Sequence, residues 1–454
     1  MTALLSESKQ PKSSIDLALN SLSNSFKHCN RYREIGEITD VSASRIVTSL
    51  KDVFVGEKCI LRLPDSGREI GSQVVAIENE RAILSPMEDI EGISANTEVI
   101  GTGEPCKIWV GQNLIGRVLD GLGRPVDGVD FKTSNMEQIK ITPPAMDALD
   151  RPVIDDVFET GVKSIDGFNT IGQGQRLAIF GEAGAGKSTL LAMLARHSKT
   201  DVVILAMIGE RGREVNEFLE RQLPPEVRER CVVIASTSDR PAMERIMAAH
   251  SAVTIAEYFR SQGQNVLLLF DSATRFARAL REVGLSAGEQ AVRSGFTPSV
   301  YAELPKLIER TGKTSQGAIT AFFTVLVEND GVNDPVAEEI ASLTDGHLVL
   351  DAALARSGIY PAINVLKSKS RLMNEICSED QINASNQLRK LMAKYIDLEL
   401  LIQVGEYVSG TDPLADMAIT SNEHIQAFMT QHTHAHITHP QAVEKMKDIL
   451  GEQA

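Results

Sequence analysis

The chain has 454 residues, of which 43% are hydrophobic and 24% are charged, and its formal net charge is -15. This length indicates two or three domains, and the composition is typical of a soluble globular protein. The acidic balance argues against nucleic acid or an anionic membrane surface as the main partner. No signal segment follows Met1, no apolar run could span a bilayer, and the five cysteines form no C-x-x-C pair, so we expect a cytoplasmic protein with reduced thiols.

The first residues are polar and rich in Ser and Lys, but Ile15, Leu19, Leu22 and Phe26 fall on one helical face. We interpret residues 1–30 as an N-terminal tail with a short amphipathic helix that docks on a partner. A frayed tail, or a helix packed on its own domain, fits the same pattern.

Residues 31–101 contain short β-rich runs such as Arg45–Val47 and Ser72–Ile77 between Gly, Asp and Pro turns. This pattern predicts a small all-β domain, which we interpret as a β-barrel. Residues 102–370 alternate between strands and helices, as in a parallel α/β sheet, and residues 371–454 follow a helical pattern. Near-continuous apolar runs predict strands that are buried on both faces: Val202–Ile208, Val266–Phe270 and Ala318–Leu326.

A glycine-rich loop lies in the α/β region: Gly181-Glu182-Ala183-Gly184-Ala185-Gly186-Lys187-Ser188. It fits G-x-x-x-x-G-K-[ST], the loop that wraps the phosphates of a nucleotide, and it separates the predicted strand Arg176–Phe180 from the predicted helix Thr189–His197. Its glycines let backbone N–H groups face phosphate oxygens, with Thr189 at the start of the helix. Lys187 would reach the β- and γ-phosphates, and the Ser188 hydroxyl would ligate Mg²⁺. We therefore predict a nucleotide and Mg²⁺ as ligands rather than an ordinary glycine turn.

Polar residues at the ends of two buried strands complete the predicted site, because open parallel sheets bind ligands at the carboxyl ends of their strands. Asp271 ends Val266–Phe270 and could hold Mg²⁺ through a water opposite Ser188. A solvated strand end or a helix cap is the structural alternative for this residue. Glu210 follows Val202–Ile208 and could orient the attacking water.

Three alternatives to a catalytic Glu210 stay open. Glu214 and Glu182 are competing carboxylates, and an ion pair with Arg211 or Arg213 would make Glu210 structural. The transition state also needs a cation near the γ-phosphate, commonly an arginine that contributes about 10³–10⁵ in rate. Composition alone does not identify that arginine.

These motifs resemble those of the rotary and export ATPases, the ATP synthase α/β superfamily. The resemblance rests on Gly181–Ser188, Gly209–Val215, Leu268–Arg275 and Pro361–Ser370 and covers about Arg31–Ile419. The last of the four segments fits the superfamily signature P-[SAP]-[LIV]-[DNH]-x-x-x-S-x-S. Further segments are similar to the type III secretion export ATPases, which include injectisome and flagellar members, and favour the injectisome: Thr237–Ala242, Thr254–Arg260, Arg281–Leu285, Pro298–Tyr301 and Val404–Tyr407.

The resemblance implies a homohexameric ring whose subunits have a RecA-like parallel sheet core, an N-terminal small β-barrel and a C-terminal helical domain. It implies that Arg371, directly after the signature, acts in trans by reaching into the neighbouring subunit's site. It also adds Arg211 to the catalytic residues Glu210 and Lys187.

By the same resemblance, Tyr360 would line the adenine slot together with Tyr407 or Val408. Core packing is the alternative for Tyr360. The chain departs from the family at Asn364, where relatives usually carry Asp, and at Ala341, which is often Arg. These departures concern contacts between subunits more than the chemistry.

The function that the resemblance implies is hydrolysis of Mg-ATP to energise type III export, by releasing chaperones and unfolding substrates. Expected partners are stator and central stalk proteins, chaperone–substrate complexes and an export gate at the cytoplasmic face of the inner membrane, with Gly284–Arg293 near the central pore. The alternatives are the catalytic subunit of a rotary or vacuolar-type ATP synthase, a non-catalytic subunit, in which Gln commonly replaces Glu210, and an RNA translocase, which the acidic charge disfavours. A solvated loop or a Zn²⁺ or Ni²⁺ site would explain the histidines near the chain end: His432, His434, His436 and His439.

Overall fold

The computed structural model describes residues 35–42, 44–130, 132–182, 184–327 and 334–451. The expected N-terminal helix within residues 1–30, and Ala183 of the glycine-rich loop, lie outside the described residues.

The strands of the described residues are β1 (Ile35–Gly36), β2 (Ile38–Ser42), β3 (Arg45–Thr48), β4 (Glu57–Arg62), β5 (Glu69–Glu78), β6 (Arg81–Pro86), β7 (Glu98–Pro105), β8 (Lys107–Val110), β9 (Val118–Leu119), β10 (Glu137–Lys140), β11 (Val157–Phe158), β12 (Ile171–Gly172), β13 (Arg176–Gly181), β14 (Val202–Ile208), β15 (Cys231–Ser236), β16 (Asn265–Asp271), β17 (Gly312–Lys313), β18 (Ala318–Leu326), β19 (Gly346–Leu350) and β20 (Lys369–Ser370).

The α-helices are α1 (Lys163–Phe168), α2 (Lys187–His197), α3 (Gly212–Glu217), α4 (Pro225–Arg228), α5 (Ala242–Ser261), α6 (Ala273–Ser286), α7 (Pro298–Ile308), α8 (Pro335–Leu343), α9 (Ala352–Arg356), α10 (Met373–Ile376), α11 (Glu379–Gln403), α12 (Pro413–Met429) and α13 (His439–Gly451). Shorter helical turns cover Gln112–Leu114, Thr133–Asn135, Ala148–Asp150 and Phe218–Gln222.

Strands β1 to β7 form one antiparallel sheet in the order β1-β7-β4-β5-β6-β3-β2. Its two edge strands, β1 and β2, are separated along the chain by Glu37 alone, so the sheet curls until its edges nearly meet. Alternate residues of β4 and β5 point inward, and Cys59, Leu61, Ile70 and Val74 are at most 1% exposed. The predicted N-terminal β-barrel is therefore confirmed, although β7 crosses the proposed domain boundary at residue 101.

The central sheet has the order β20-β19-β13-β18-β16-β14-β15-β9, with β17 paired to β18. The pairs from β19 to β9 are parallel. Residues of β14 alternate between two hydrophobic cores: Ile204 and Ile208 belong to the one that contains α5, and Val203 and Leu205 to the one that contains α2. Because helices cover both faces, the central strands are buried almost throughout, and this explains their apolar sequences.

The predicted core strands agree closely with the structure. The predictions Val202–Ile208 and Ala318–Leu326 coincide with β14 and β18. Strand β16 extends the predicted Val266–Phe270 by one residue at each end, because the polar terminal residues still pair in register with their neighbours. The predicted RecA-like α/β core is confirmed.

The C-terminal helices α11, α12 and α13 form a helical domain that packs on α1. Phe428 of α12 meets Phe168 of α1 edge to face, with 5.7 Å between ring centroids. The side chain of Gln431 accepts a hydrogen bond from the backbone of Lys163 at 2.9 Å and donates one to the carbonyl of Gly161 at 2.8 Å. The helical domain is thereby tied to the start of α1 in the core domain.

Across the described ranges, no helix combines the length and apolar character needed to cross a lipid bilayer. The cysteines in those ranges are all free thiols: Cys59, Cys106, Cys231 and Cys377.

Candidate active site

The carboxyl edge of the central sheet gathers the predicted site residues. Strands β13, β14 and β16 run parallel in one sheet and end at Gly181, Ile208 and Asp271. The segments that follow the first two strands carry Lys187 and Glu210. These side chains therefore meet at one edge of the sheet, where parallel α/β proteins bind their ligands.

The glycine-rich loop has the backbone that phosphate binding requires. Gly184 and Gly186 have φ angles of 85° and 93°, in the left-handed region that residues with a side chain rarely adopt. A Cβ added at Gly181 would lie 3.1 Å from the Cβ of Leu350, so the loop starts close against the neighbouring strand. Helix α2 begins at Lys187, and its N-terminus therefore faces the loop as in anion sites.

Lys187 faces two acidic side chains. Burial lowers the pKa of Lys187, and the charges of Asp271 and Glu210 oppose that effect. The two carboxylates thus help to keep the ammonium group charged in a partly desolvated place. Ser188 is exposed and Thr189 half-buried, and both lie in the first turn of α2 next to the loop.

Asp271 has the position and chemistry of a magnesium ligand. Its Oδ1 accepts a hydrogen bond of 2.5 Å from Thr324 Oγ1, which orients the carboxylate at the strand end. Ser188 offers a hydroxyl oxygen at the same edge, and Mg²⁺ prefers a few such oxygen ligands while it keeps several waters. The residues present therefore fit a Mg²⁺ ion that is also held by substrate phosphates.

Glu210 is only 8% exposed and is held by an arginine. Arg275 Nη2 donates to Glu210 Oε2 at 3.0 Å, and Arg275 Nε lies 2.9 Å from Oε1. Arg275 Nη1 also donates to the carbonyl of Gly209 at 2.5 Å. Burial, together with the charge of Asp271, raises the pKa of Glu210 to about 7, and Arg275 opposes that rise. Such a carboxyl group can exchange a proton near neutral pH.

The structural alternative for Glu210, an ion pair with Arg211 or Arg213, does not occur. Arg211 pairs with Glu214 at 3.3 Å, and Arg213 lies 3.9 Å from Glu217. The two arginine side chains are 77% and 91% exposed. In this structure, Arg211 therefore lies at the rim of the site rather than beside Glu210.

Arg275 is the residue that sequence reasoning missed, because it lies 65 positions from Glu210 in the chain. Its position in the sequence is the signal that could have identified it: Arg275 stands in the first turn of α6, directly after the strand that ends at Asp271. The competing carboxylate Glu182 is exposed and lines a separate cavity of about 430 Å³ beside β19.

Arg371 lies at the opposite edge of the sheet. It follows β20, which pairs with Gly346 at the start of β19, whereas Leu350 at the end of β19 pairs with Gly181. Four residues of strand, about 13 Å, therefore separate Arg371 from the glycine-rich loop of its own chain. The side chain is exposed, and its Nη2 donates to the carbonyl of Ala341 at 3.4 Å.

The three predicted adenine-binding residues have different surroundings. Tyr360 adjoins the glycine-rich loop, since a Cβ at Gly186 would lie 3.9 Å from Tyr360 Cε1, and it is 43% exposed rather than packed in the core. The Tyr407 hydroxyl donates to Asp416 Oδ1 at 2.9 Å within the helical domain, and Val408 is 65% exposed. The structure therefore brings Tyr360 to the loop and engages Tyr407 elsewhere.

Asn364, a departure from the family pattern, has a local explanation. Its Nδ2 donates to Asp351 Oδ2 at 3.0 Å. Its Oδ1 accepts from the backbone N–H groups of Leu366 at 3.2 Å and Lys367 at 3.1 Å. An aspartate at 364 would set two carboxylates face to face, so the asparagine is matched to Asp351.

Of the histidines near the chain end, His436 lies against the core domain, and His432 and His434 are exposed and adjoin each other. The rings of His436 and His197 lie 5.6 Å apart, and His197 Nε2 is hydrogen-bonded to the carbonyl of Thr433 at 2.9 Å. Across the described ranges, no group of three or more His, Cys, Asp or Glu side chains is arranged to hold a metal ion.

Family models match three successive parts of the chain. The β-barrel domain of the ATP synthase alpha/beta family matches residues 45–103, and the nucleotide-binding domain of that family matches residues 161–370. The C-terminal domain of the type III secretion ATPase EscN matches residues 377–448. The C-terminal match separates this chain from the rotary ATP synthases.

Individual relatives agree with these matches. A type 3 secretion system ATPase of Xanthomonas euvesicatoria is 45% identical over 420 residues, which cover 92% of this chain and 95% of that protein. The solved structure of the assembled ATPase EscN from the enteropathogenic E. coli type III secretion system has a TM-score of 0.87 at 43% identity, covering 91% of this chain and 100% of that one. EscN in complex with its central stalk EscO gives a TM-score of 0.84 at 42% identity, with the same coverage. The chain therefore belongs to the type III secretion ATPases of the ATP synthase alpha/beta family, ATP hydrolases that drive protein export, and not to the rotary ATP synthases considered as the alternative.

Proposed function

We propose that this chain hydrolyses Mg-ATP at the subunit interfaces of a homohexameric ring, and that each active site is completed by the neighbouring subunit's Arg371. The observation that carries the proposal is the separation of Arg371 from the glycine-rich loop within one chain. An arginine side chain cannot span the strand of four residues, about 13 Å long, that lies between them. A head-to-tail contact between copies brings opposite edges together, and such contacts close into rings. The assembled state of the related EscN supports this arrangement.

Each residue of the site then has a distinct role. The loop Gly181–Ser188, with Thr189, binds the phosphates, and Lys187 neutralises charge on the β- and γ-phosphates. Ser188 and Asp271, the latter through a water, would hold Mg²⁺, which supplies further neutralisation of the phosphate charge. Glu210 orients the attacking water and accepts its proton, while Arg275 positions Glu210. Arg211, at the rim, is a further catalytic residue in this proposal, and Tyr360, with Tyr407 or Val408, lines the adenine slot.

The test is ATPase activity as a function of protein concentration, with the mass of the particles measured alongside. We expect the activity per chain to be low where the protein is monomeric and to rise steeply as hexamers form, since a monomer lacks the arginine. Full activity per chain in a monomeric sample would contradict the proposal. Assembly of the purified chain alone into a homohexamer would further separate it from proteins that need a second, related subunit.

Glu210 gives the reaction a pH dependence whose direction follows from its surroundings. The pKa of Glu210 is about 7, so a base that must be ionised loses activity as the pH falls through 7. Arg275→Gln removes the charge that lowers this pKa, and we expect the midpoint of the kcat/KM profile to rise by about one pH unit or more. Arg275→Lys keeps the charge and should hold the midpoint near that of the wild type. Equal midpoints for the Gln variant and the wild type would contradict this role of Arg275.

The ring would work at the cytoplasmic face of the inner membrane, without crossing it. The complex of EscN with its central stalk EscO supports a stalk protein as a partner of this chain, and Gly284–Arg293 is the segment we assign to the pore. Stator proteins, an export gate and chaperone–substrate complexes are the remaining partners in this proposal. Hydrolysis would release the chaperones and unfold the substrates.

A further inference from the structure

We infer that Leu149 and Val153 form a docking ridge that packs on the neighbouring subunit and holds Arg371 in register with that subunit's active site. The docking ridge is the surface made by these two side chains, on the segment that includes the short helical turn Ala148–Asp150. The inference rests on the proposed role of Arg371 in trans.

The two apolar side chains of the docking ridge are unusually exposed to solvent. Leu149 is 99% exposed and Val153 77%, and the next most exposed large apolar side chain of the described residues is Leu400 at 69%. Single exposed apolar residues are common on protein surfaces. Two of them, four positions apart on one segment, make a contact surface when a partner surface lies alongside.

A chain of polar contacts fixes the docking ridge to Arg371. Arg151, between the two ridge residues, pairs with Glu309 at 3.0 Å, and Glu309 pairs with Arg176 at 2.8 Å. Arg176 Nε pairs with Asp345 Oδ2 at 3.1 Å. The carbonyl of Asp345 accepts a hydrogen bond of 3.0 Å from the backbone N–H of Arg371. A continuous series of ion pairs and hydrogen bonds therefore connects the ridge segment to Arg371.

Val153 of the docking ridge also lies close to the residue that follows Arg371. Val153 lines a cavity of about 230 Å³ together with Asp345 and with Leu372, the residue directly after Arg371. A subunit that receives the guanidinium of Arg371 must come close to this surface. A second copy of the chain is therefore the partner that covers the ridge.

The charges around the docking ridge suit the opposite edge of another copy. Asp147 and Asp150, beside the ridge, are exposed. The rim of the phosphate-binding edge presents Arg211 and Arg213, whose side chains are 77% and 91% exposed. Both arginines pair with carboxylates of their own chain, Glu214 and Glu217, in exposed ion pairs that contribute little. Asp147 and Asp150 of another copy can therefore compete for them and favour the head-to-tail orientation.

The double variant Leu149→Asp/Val153→Asp tests the inference in the full-length chain. We expect the protein concentration at half-assembly, measured by particle mass, to rise at least about tenfold. The activity at low concentration should fall with it, while kcat in fully assembled samples stays within about twofold of the wild type. The matched control is Leu400→Asp, on the C-terminal helical domain, which should leave assembly unchanged.

Unfolding and mixing experiments separate the outcomes. Because both ridge side chains are exposed, the monomer of the double variant should unfold at the wild-type temperature. Unchanged assembly would overturn the inference, and a lowered unfolding temperature with unchanged assembly would assign the ridge to a contact within the chain, such as with residues 1–34.

If mixed Lys187→Ala and Arg371→Ala rings regain activity while the double variant assembles normally, the trans role of Arg371 stands and the inference about the ridge is overturned. If the double variant fails to assemble but the mixed rings stay inactive, the link between the ridge and Arg371 is overturned.

Discussion

A mixture of the variants Lys187→Ala and Arg371→Ala is expected to hydrolyse ATP, although each variant alone is nearly inactive. Loss of the arginine should lower kcat by about 10³–10⁵, and loss of the lysine removes the main contact to the β- and γ-phosphates. In randomly mixed rings, about one interface in four joins an intact Lys187 to an intact Arg371 of the next subunit. The mixture should therefore recover up to about a quarter of the wild-type activity.

The two variants must be shown to share rings, for example by native mass spectrometry with one variant carrying a mass tag. Each variant alone, at the same total concentration, is the control. Mixed rings without activity would contradict completion of the site by a neighbour. Full activity of Arg371→Ala by itself would remove Arg371 from the mechanism.

Glu210→Gln is expected to bind ATP as tightly as the wild type and to lose most of its hydrolysis. The amide keeps the size of the side chain and can still contact Arg275, but it cannot accept the proton of the attacking water. General-base catalysis contributes about 10²–10⁴ in rate, so kcat should fall by that factor. Steady-state hydrolysis and equilibrium nucleotide binding, measured on the same preparation, check the two parts.

Glu214→Gln is the control for the competing carboxylate. Glu214 lies four residues further on and pairs with the exposed Arg211 at 3.3 Å, but it also contacts Glu210 and helps to raise the pKa of that residue. The Glu214→Gln variant should leave kcat within about twofold of the wild type. Glu182→Gln examines the other competing carboxylate, which lines a separate cavity. An unchanged kcat in Glu210→Gln, or a larger loss in either control, would assign the proton transfer to another group.

The parts of the site that could be predicted are those that local sequence and strand geometry determine. Gly184 and Gly186 have left-handed backbone, and the motif G-x-x-x-x-G-K-[ST] specifies glycine at the second of these positions. Asp271 and Glu210 could be placed because parallel neighbouring strands end at one edge. Strands β14, β16 and β18 were predicted to within a residue, since helices on both faces require continuous apolar sequence.

The parts that could not be predicted depend on contacts between distant segments. Arg275 meets Glu210 across 65 positions of sequence, whereas Arg211 is adjacent in sequence and points away. Tyr407 lies in the loop between α11 and α12. That loop folds back, so the Tyr407 hydroxyl reaches Asp416 of α12. The hydrogen bond from Asn364 to Asp351 likewise joins two segments that are 13 residues apart, and only the folded structure brings them together.

Strand β19 lies between the two parts of a subunit that contribute to catalysis, the glycine-rich loop and Arg371. On one side it pairs with β13, which ends in the glycine-rich loop, and on the other with β20, which leads to Arg371. If Arg371 serves the next site, the groups that a subunit gives to its own nucleotide and to its neighbour's are two strand spacings apart across the sheet, about 10 Å, as well as about 13 Å apart along the strands. A substitution inside β19 would then disturb two active sites per subunit, whereas one in the loop or at Arg371 would disturb a single site.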